Sequence, residues 1–397
     1  MLHGAGKEVD MYNFTLYMTT ACNFECKYCY EDYKEQNHLN EESLVQTLEF
    51  IMNYGDKGKI LLDFLGGEPL LKKDLIKQAV SYVKQEYPDR IVKYYITTNC
   101  SLMDDEFISF MKENAFTVRL SFDGNKQTHD LNRIAKDGIS CYESIVDNIY
   151  KVKNSGLRYS VRMTITENTI PFMYENICFL HEQGLNSICM IMDVNLELSE
   201  SLLEVFKTQI SMITEYYLNE FNNNAKFALD QFDGKFFNIL CDFGNKFAMC
   251  NAGVGNFKIM PDGSIYPCGF LTSDKQYKIG DIHKGVDINL AKHMAMSKFD
   301  KNDTKCLGCN IRDFCHGMKC GYMNFIRTKK INRPSDAECL CEHVFFDAII
   351  KIFNYLLLQP VPIIRQTFGE MMDYIEASNL KLSDYDMKVY DRLVNEK

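Results

Sequence analysis

The chain has 397 residues, 46% of them hydrophobic, and a formal charge of −10 with a pI near 5.4. That length exceeds one ordinary domain and leaves ample apolar material for a large core. An acidic chain with no long basic run is a poor partner for nucleic acid, and no stretch of 18 apolar residues offers a membrane span.

The first ten residues, MLHGAGKEVD, are polar and lack the apolar centre of a signal peptide, so a cytoplasmic location is expected. Sixteen cysteines in a reducing compartment point to metal rather than to a disulfide scaffold. Three lie at 22–29 and nine between 241 and 341. The remaining four, Cys100, Cys141, Cys178 and Cys189, read as small buried hydrophobes.

From residue 11 to about 195, short apolar runs alternate with amphipathic segments, the pattern of repeated βα units on a parallel sheet. Strands are predicted at 13–19, 60–65, 93–97, 117–121, 159–166 and 187–192, with helices at 41–54, 73–86, 105–114, 142–155 and 173–183. Six such units are too few for a closed eight-stranded barrel. They predict an α/β fold built on a partial (βα)6 barrel of the TIM type, whose chemistry collects at the C-terminal ends of the strands. A helix at 202–222 leads to the cysteine-rich segment 241–341. This segment has little periodicity and many glycines, so metal rather than an apolar core is expected to hold it. A strandless helical tail follows from residue 342. The expected division is a lead at 1–11, the barrel at 12–230, the cysteine-rich domain at 231–345 and the tail at 346–397.

The first cysteine group sits in TTACNFECKYCYE (19–31), directly after the first strand. Three thiolates spaced C-x3-C-x2-C can hold three corners of an iron–sulfur cubane and leave the fourth iron open to a small molecule. Structural zinc prefers four protein ligands in paired knuckles. The spacing of Cys22, Cys26 and Cys29, with Tyr28 before the last cysteine, resembles the signature of the radical S-adenosylmethionine (SAM) enzymes. Three further motifs stand at strand ends: GGEP (66–69), TTN (97–99) and SFDG (121–124). Four candidate binding loops at one rim make a site. The resemblance implies that Gly66, Gly67, Glu68 and Pro69 form the turn facing the SAM ammonium, with Glu68 or the turn carbonyls accepting its hydrogen bonds. Ser121 and Asp123 are expected near the ribose, Asn99 either at the ribose or capping its own loop, and Arg162 either at the SAM carboxylate or in a surface ion pair. HDLNR (129–133) extends the likeness past SFDG, with His129 expected to tie that loop to the rim.

The second group runs Cys250, Cys268, Cys306-x2-Cys309-x5-Cys315-x4-Cys320, Cys339 and Cys341. It resembles the SPASM domain, an extension of radical SAM enzymes that carries two auxiliary [4Fe–4S] clusters. KIMPDGSIYPCGF (258–270) is similar to the hairpin of that domain, with Asp-Gly at the turn, and YKIGDI (277–282) to its next strand. The last gap is four residues where the family has three. By resemblance, Cys250, Cys268 and Cys320 hold cluster I, with Cys241 as fourth ligand or an iron left open for a substrate thiolate. Cys306, Cys309 and Cys315 hold cluster II, with Cys341 preferred over Cys339 as the fourth.

The resemblance implies three [4Fe–4S] clusters, SAM, and a one-electron donor such as flavodoxin or ferredoxin. The expected activity is maturation of a ribosomally made, cysteine-containing precursor peptide by thioether crosslinking, of the sactipeptide or ranthipeptide type. Carbon–carbon crosslinking, epimerisation and sulfatase-type Cys or Ser oxidation are the alternatives. The sulfatase branch uses an aspartate directly after the second SPASM cysteine as a base. Here that position is Gly269, which cannot take a proton.

Overall fold

A computed structural model describes residues 11–31, 36–55, 58–223, 225–240, 250–312, 314–315, 317 and 320–359. Two compact units emerge: Met1–Arg162 with Met249–Phe299, and Met163–Ala248 with Asp300–Lys397. These units cut across the boundaries at 230 and 345 expected from the sequence. Cys241 and tail residues 360–397 lie outside the described residues.

In the first unit the chain runs β1 (Met11–Tyr17), α1 (Glu41–Asn53), β2 (Lys59–Leu65), α2 (Lys73–Glu86), β3 (Val92–Thr98), α3 (Asp105–Glu113), β4 (Thr117–Ser121), α4 (Lys126–Asn132), α5 (Tyr142–Ser155) and β5 (Arg158–Ile165), which continues into the second unit. Strands β1 to β5 pair in parallel in chain order. Alternation sorts their side chains. Phe14, Leu16, Ile60, Leu62, Phe64, Ile96, Val118, Leu120 and Val161 are all fully buried on one face. Each such side chain contributes about 1.5–3 kcal/mol on burial. The opposite face carries Thr15, Asp63, Tyr95 and Arg119, with an Arg119–Asp63 ion pair at 2.9 Å. A parallel sheet covered on both faces reads as continuous apolar runs; the polar alternate positions here mark a wet interior. Helix starts follow local capping: Asn40 accepts from the Ser43 N–H, and Asp104 from that of Phe107.

The second unit takes α6 (Met173–Glu182), β6 (Ser187–Met192), α7 (Glu200–Asn222), β7 (Ala228–Leu229) and α8 (Asp230–Leu240). The chain then returns to the first unit with β8 (Asn256–Ile259), β9 (Ser264–Tyr266), β10 (Gly280–Asp281), β11 (Gly285–Val286) and α9 (Ile288–Ser297). All six predicted strands and their helices are present. The expected hairpin forms between β8 and β9, turning at Gly263 with φ +77°, and β10 joins β9 as the next strand.

Two features of the cysteine-rich segment differ from expectation. Strand β8 pairs in parallel with β1, so the hairpin extends the barrel sheet. Phe257, Ile259, Ile265 and Ile279 are fully buried there, so apolar packing holds this part of the segment. The rest lies in the second unit with α10 (Gly321–Thr328) and α11 (Asp336–Leu357). Helix α11 starts six residues before the predicted position, where Ser335 accepts from the Glu338 N–H. Both Cys339 and Cys341 are therefore helical. Along its length α11 packs on α7 and α8, through Phe206–Phe345 and Phe236–Phe353 and a buried Lys235–Glu342 ion pair at 2.7 Å. Among the described residues, no helix is long and apolar enough to cross a membrane.

Candidate active site

The loop leaving β1 holds Cys22, Cys26 and Cys29, the first two half-buried and the last exposed. It is fastened to the loop leaving β2 by two backbone bonds, Gly67 N–H to Thr19 O at 3.0 Å and Glu68 N–H to Ala21 O at 2.9 Å. The approach explains both glycines. A Cβ on Gly66, whose φ is +155°, would fall 2.3 Å from Thr19 O, and one on Gly67 would fall 2.2 Å from Ala21 O. The pair that the sequence assigned to ligand approach is already required by the chain's own packing.

Glu68 is 1% exposed. Its carboxylate accepts from the Thr98 hydroxyl at 2.7 Å, the Leu70 N–H at 3.0 Å and the Asn99 N–H at 2.8 Å. Burial nevertheless pushes its pKa up to about 7, against those three donors. Glu68 thus ties the loops after β2 and β3 together, and Pro69 opens a 3-10 turn beside it. Asn99 caps its own loop: its Oδ1 accepts from the Ser101 N–H at 3.0 Å, while its Nδ2 donates to Asn23 at 3.0 Å.

A third tie was only partly legible. Asp123, 1% exposed, receives a bidentate pair from Arg133 Nε and Nη2, both at 3.0 Å, and the Tyr28 hydroxyl at 2.7 Å. The guanidinium also lies 5.3 Å from the centre of the Tyr28 ring. Tyr28 therefore locks the cysteine loop to SFDG through Arg133, the last residue of HDLNR. Around it, Glu25 N–H donates to Ile134 O and Lys27 N–H to Asn132 O, so residues 132–136 form a strap against the cysteine loop. His129 is 1% exposed and packs on Phe122 and Tyr142. Its burial pushes its pKa down to about 3. The signal for Arg133 was its place four residues after His129, which put both in the same motif.

Ser121 ends β4 opposite Arg162 on β5, and both are half-buried. Arg162 lies near Glu31, whose carboxyl burial raises to about 8, opposed by the Tyr17 hydroxyl and the Arg162 charge. Glu31 and Tyr17 carried no motif signal. The same rim reaches Gly269, where a Cβ would meet the Tyr17 hydroxyl at 3.2 Å and the Tyr30 hydroxyl at 3.6 Å.

The remaining cysteines divide between the two units. Cys250 and Cys268 belong to the first, with Lys258 acting electrostatically on both. Lys258 donates to Thr15 at 2.8 Å and Asn256 at 3.0 Å. In the second unit, Cys306, Cys309 and Cys339 lie near enough to affect one another's thiols. Cys315 is buried, and Cys320 caps α10. Cys341 is 2% exposed, and its charged neighbours are Glu338, Glu342 and Lys235 rather than other cysteines.

The described cysteines are free of disulfides. Among the described residues, no three His, Cys, Asp or Glu side chains converge on a single ion. A cubane requires no such convergence, because each corner iron takes its own thiolate. The donor chemistry fits: soft thiols on one tethered loop, shielded enough that burial raises Cys22 to about 12 and Cys26 to about 11 without metal. Iron must displace those protons on binding.

Residues 16–176 match the sequence model of the Radical SAM superfamily. The chain is similar to the cysteine-type anaerobic sulfatase-maturating enzyme of Clostridium perfringens (strain 13 / Type A), 24% identical over 75% of this chain and 86% of that one. Its fold is similar to that of native anSMEcpe with bound AdoMet and Kp18Cys peptide, with TM-score 0.74 and 21% identity over 87% of this chain and 99% of the other. It also resembles Streptococcus suis SuiB bound to precursor peptide SuiA, with TM-score 0.57 and 17% identity over 83% and 75% of the two chains.

Proposed function

Residues 16–176 are a radical SAM domain, which makes the chain a radical SAM enzyme, and on that premise we propose that it installs thioether crosslinks in a ribosomally made, cysteine-containing precursor peptide. When bound, three [4Fe–4S] clusters and SAM would supply electron transfer and the hydrogen-abstracting 5′-deoxyadenosyl radical. Cys22, Cys26 and Cys29 would hold the SAM cluster. Glu68 is committed to Thr98, Leu70 and Asn99, so the carbonyls of its turn are left to take the SAM ammonium. Ser121 would meet the ribose and Arg162 the carboxylate, while Asp123 positions the cysteine loop through Tyr28 and Arg133.

In the second cysteine module, Cys250, Cys268 and Cys320 would hold auxiliary cluster I, with Cys241 or a substrate thiolate as fourth ligand. Cys306, Cys309, Cys315 and Cys339 would hold cluster II. Cys339 replaces the Cys341 preferred from sequence, because its neighbours are Cys306 and Cys309 whereas Cys341 is buried beside an ion pair. Reduced thiols in this number suit the cytoplasm, where a flavodoxin or ferredoxin could donate electrons.

The observation that carries the choice of reaction is Gly269. In the sulfatase branch the implied base stands at this position, and here two tyrosine hydroxyls occupy the space its side chain would need. Sulfatase-type oxidation is the second reading, favoured by the likeness to a maturase of that name. Both are tested by mass spectrometry of a cysteine-containing precursor peptide and a sulfatase-derived peptide after anaerobic incubation with reconstituted enzyme, SAM and reductant. Thioether formation breaks one C–H and one S–H bond, so each crosslink removes two hydrogens and leaves a cysteine that cannot be alkylated. Deoxyadenosine release with an unchanged precursor, and an aldehyde on the sulfatase peptide, would reverse the assignment.

A further inference from the structure

Helix α11 presents a histidine beside its cysteines that no sequence motif assigns. Cys339 and His343 are one turn apart at i and i+4, so they share a face; Cys341 is turned about 200° from Cys339, onto the other side. The Nε2 atom of His343 lies 3.7 Å from the Cys309 sulfur, within reach of an N–H···S bond. The Cys309 N–H in turn donates to Cys306 O at 3.4 Å, so this thiol stands on a short turn between Cys306 and the histidine. Lys305 makes a second donor contact, to Cys339. A thiolate bound to iron has no proton to give, so Nε2 must carry the proton of this bond.

We propose that His343 is a positioning residue of the Cys306/Cys309/Cys315/Cys339 site: its Nε2–H donates to the Cys309 thiolate and raises the reduction potential of the cluster held there. The proposal rests on the cluster II reading above. Hydrogen bonds to ligand sulfurs draw off electron density and favour the reduced, more negative cluster.

The test is a potentiometric EPR titration of anaerobically reconstituted full-length protein, with iron counted in parallel. His343→Leu is expected to shift one couple to lower potential by about tenfold in its reduction equilibrium, about 59 mV for one electron, at unchanged iron content. His343→Gln keeps an N–H donor and is expected to recover most of that shift. Unchanged potentials in both variants overturn the proposal. Loss of about four irons in His343→Leu also overturns it, since the ring would then be needed to hold the cluster. The cluster reading fails separately if Cys339→Ala retains full iron.

Discussion

Replacing Asp123 with asparagine separates a clamp from a ligand contact. Asp123 is 1% and Arg133 8% exposed, and two 3.0 Å bonds join them. Asparagine keeps the shape but removes the charge, leaving a buried guanidinium without a counter-ion, which costs about 3–5 kcal/mol. The Tyr28 hydroxyl loses a charged acceptor at 2.7 Å, a bond of about 1.5–3 kcal/mol that overlaps with the first cost. A total near 4 kcal/mol is expected, delivered to Tyr28 between Cys26 and Cys29. Guanidinium unfolding should show that loss, and iron analysis after reconstitution should show depletion of the SAM cluster. The double variant Asp123→Leu/Arg133→Met removes both charges and should recover most of the stability. Full stability and full iron in Asp123→Asn, with only weaker SAM binding by calorimetry, would refute the clamp and make Asp123 a ribose ligand.

In the second unit, Glu342→Ala strands Lys235, whose amino group contacts both carboxylate oxygens at 2.7 and 2.8 Å; a loss of about 3–5 kcal/mol is expected, largely reversed in Glu342→Leu/Lys235→Met, as read by urea midpoints. His129 makes the fold acid-sensitive. The unfolded chain takes up its proton near 6.5, the folded chain only near 3, so stability falls as pH drops below 6.5, by about 1.4 kcal/mol per pH unit. Between pH 6.5 and 5 the native protein should therefore lose about 2 kcal/mol more than His129→Phe in urea titrations, and parallel curves would show that the ring is not the cause. Cys339→Ala should reconstitute with about four fewer irons while Cys341→Ala keeps the full complement; the reverse pattern would restore the sequence preference.

Local pattern carried most of the fold. Alternation at period two marked each strand because a pleated chain sends successive side chains to opposite faces. The cysteine triplet, GGEP and the Asp-Gly hairpin were legible because spacing along a short segment already constrains geometry. Why the two glycines are needed was not legible: the atoms they avoid, Thr19 O and Ala21 O, belong to another loop.

By itself, then, the sequence determined the βα order, the three-thiol loop and the glycine where a base might stand, since each depends on neighbours within a few residues. Tertiary structure alone decided the partners. Tyr28 and Asp123 are 95 positions apart and Lys235 and Glu342 are 107 apart, and no periodicity reports such pairings. The two final cysteines differ by two residues in sequence, which spacing rules treat as interchangeable. Once α11 begins at Asp336, a helix turning 100° per residue places them on opposite faces, and only one of them faces the other thiols.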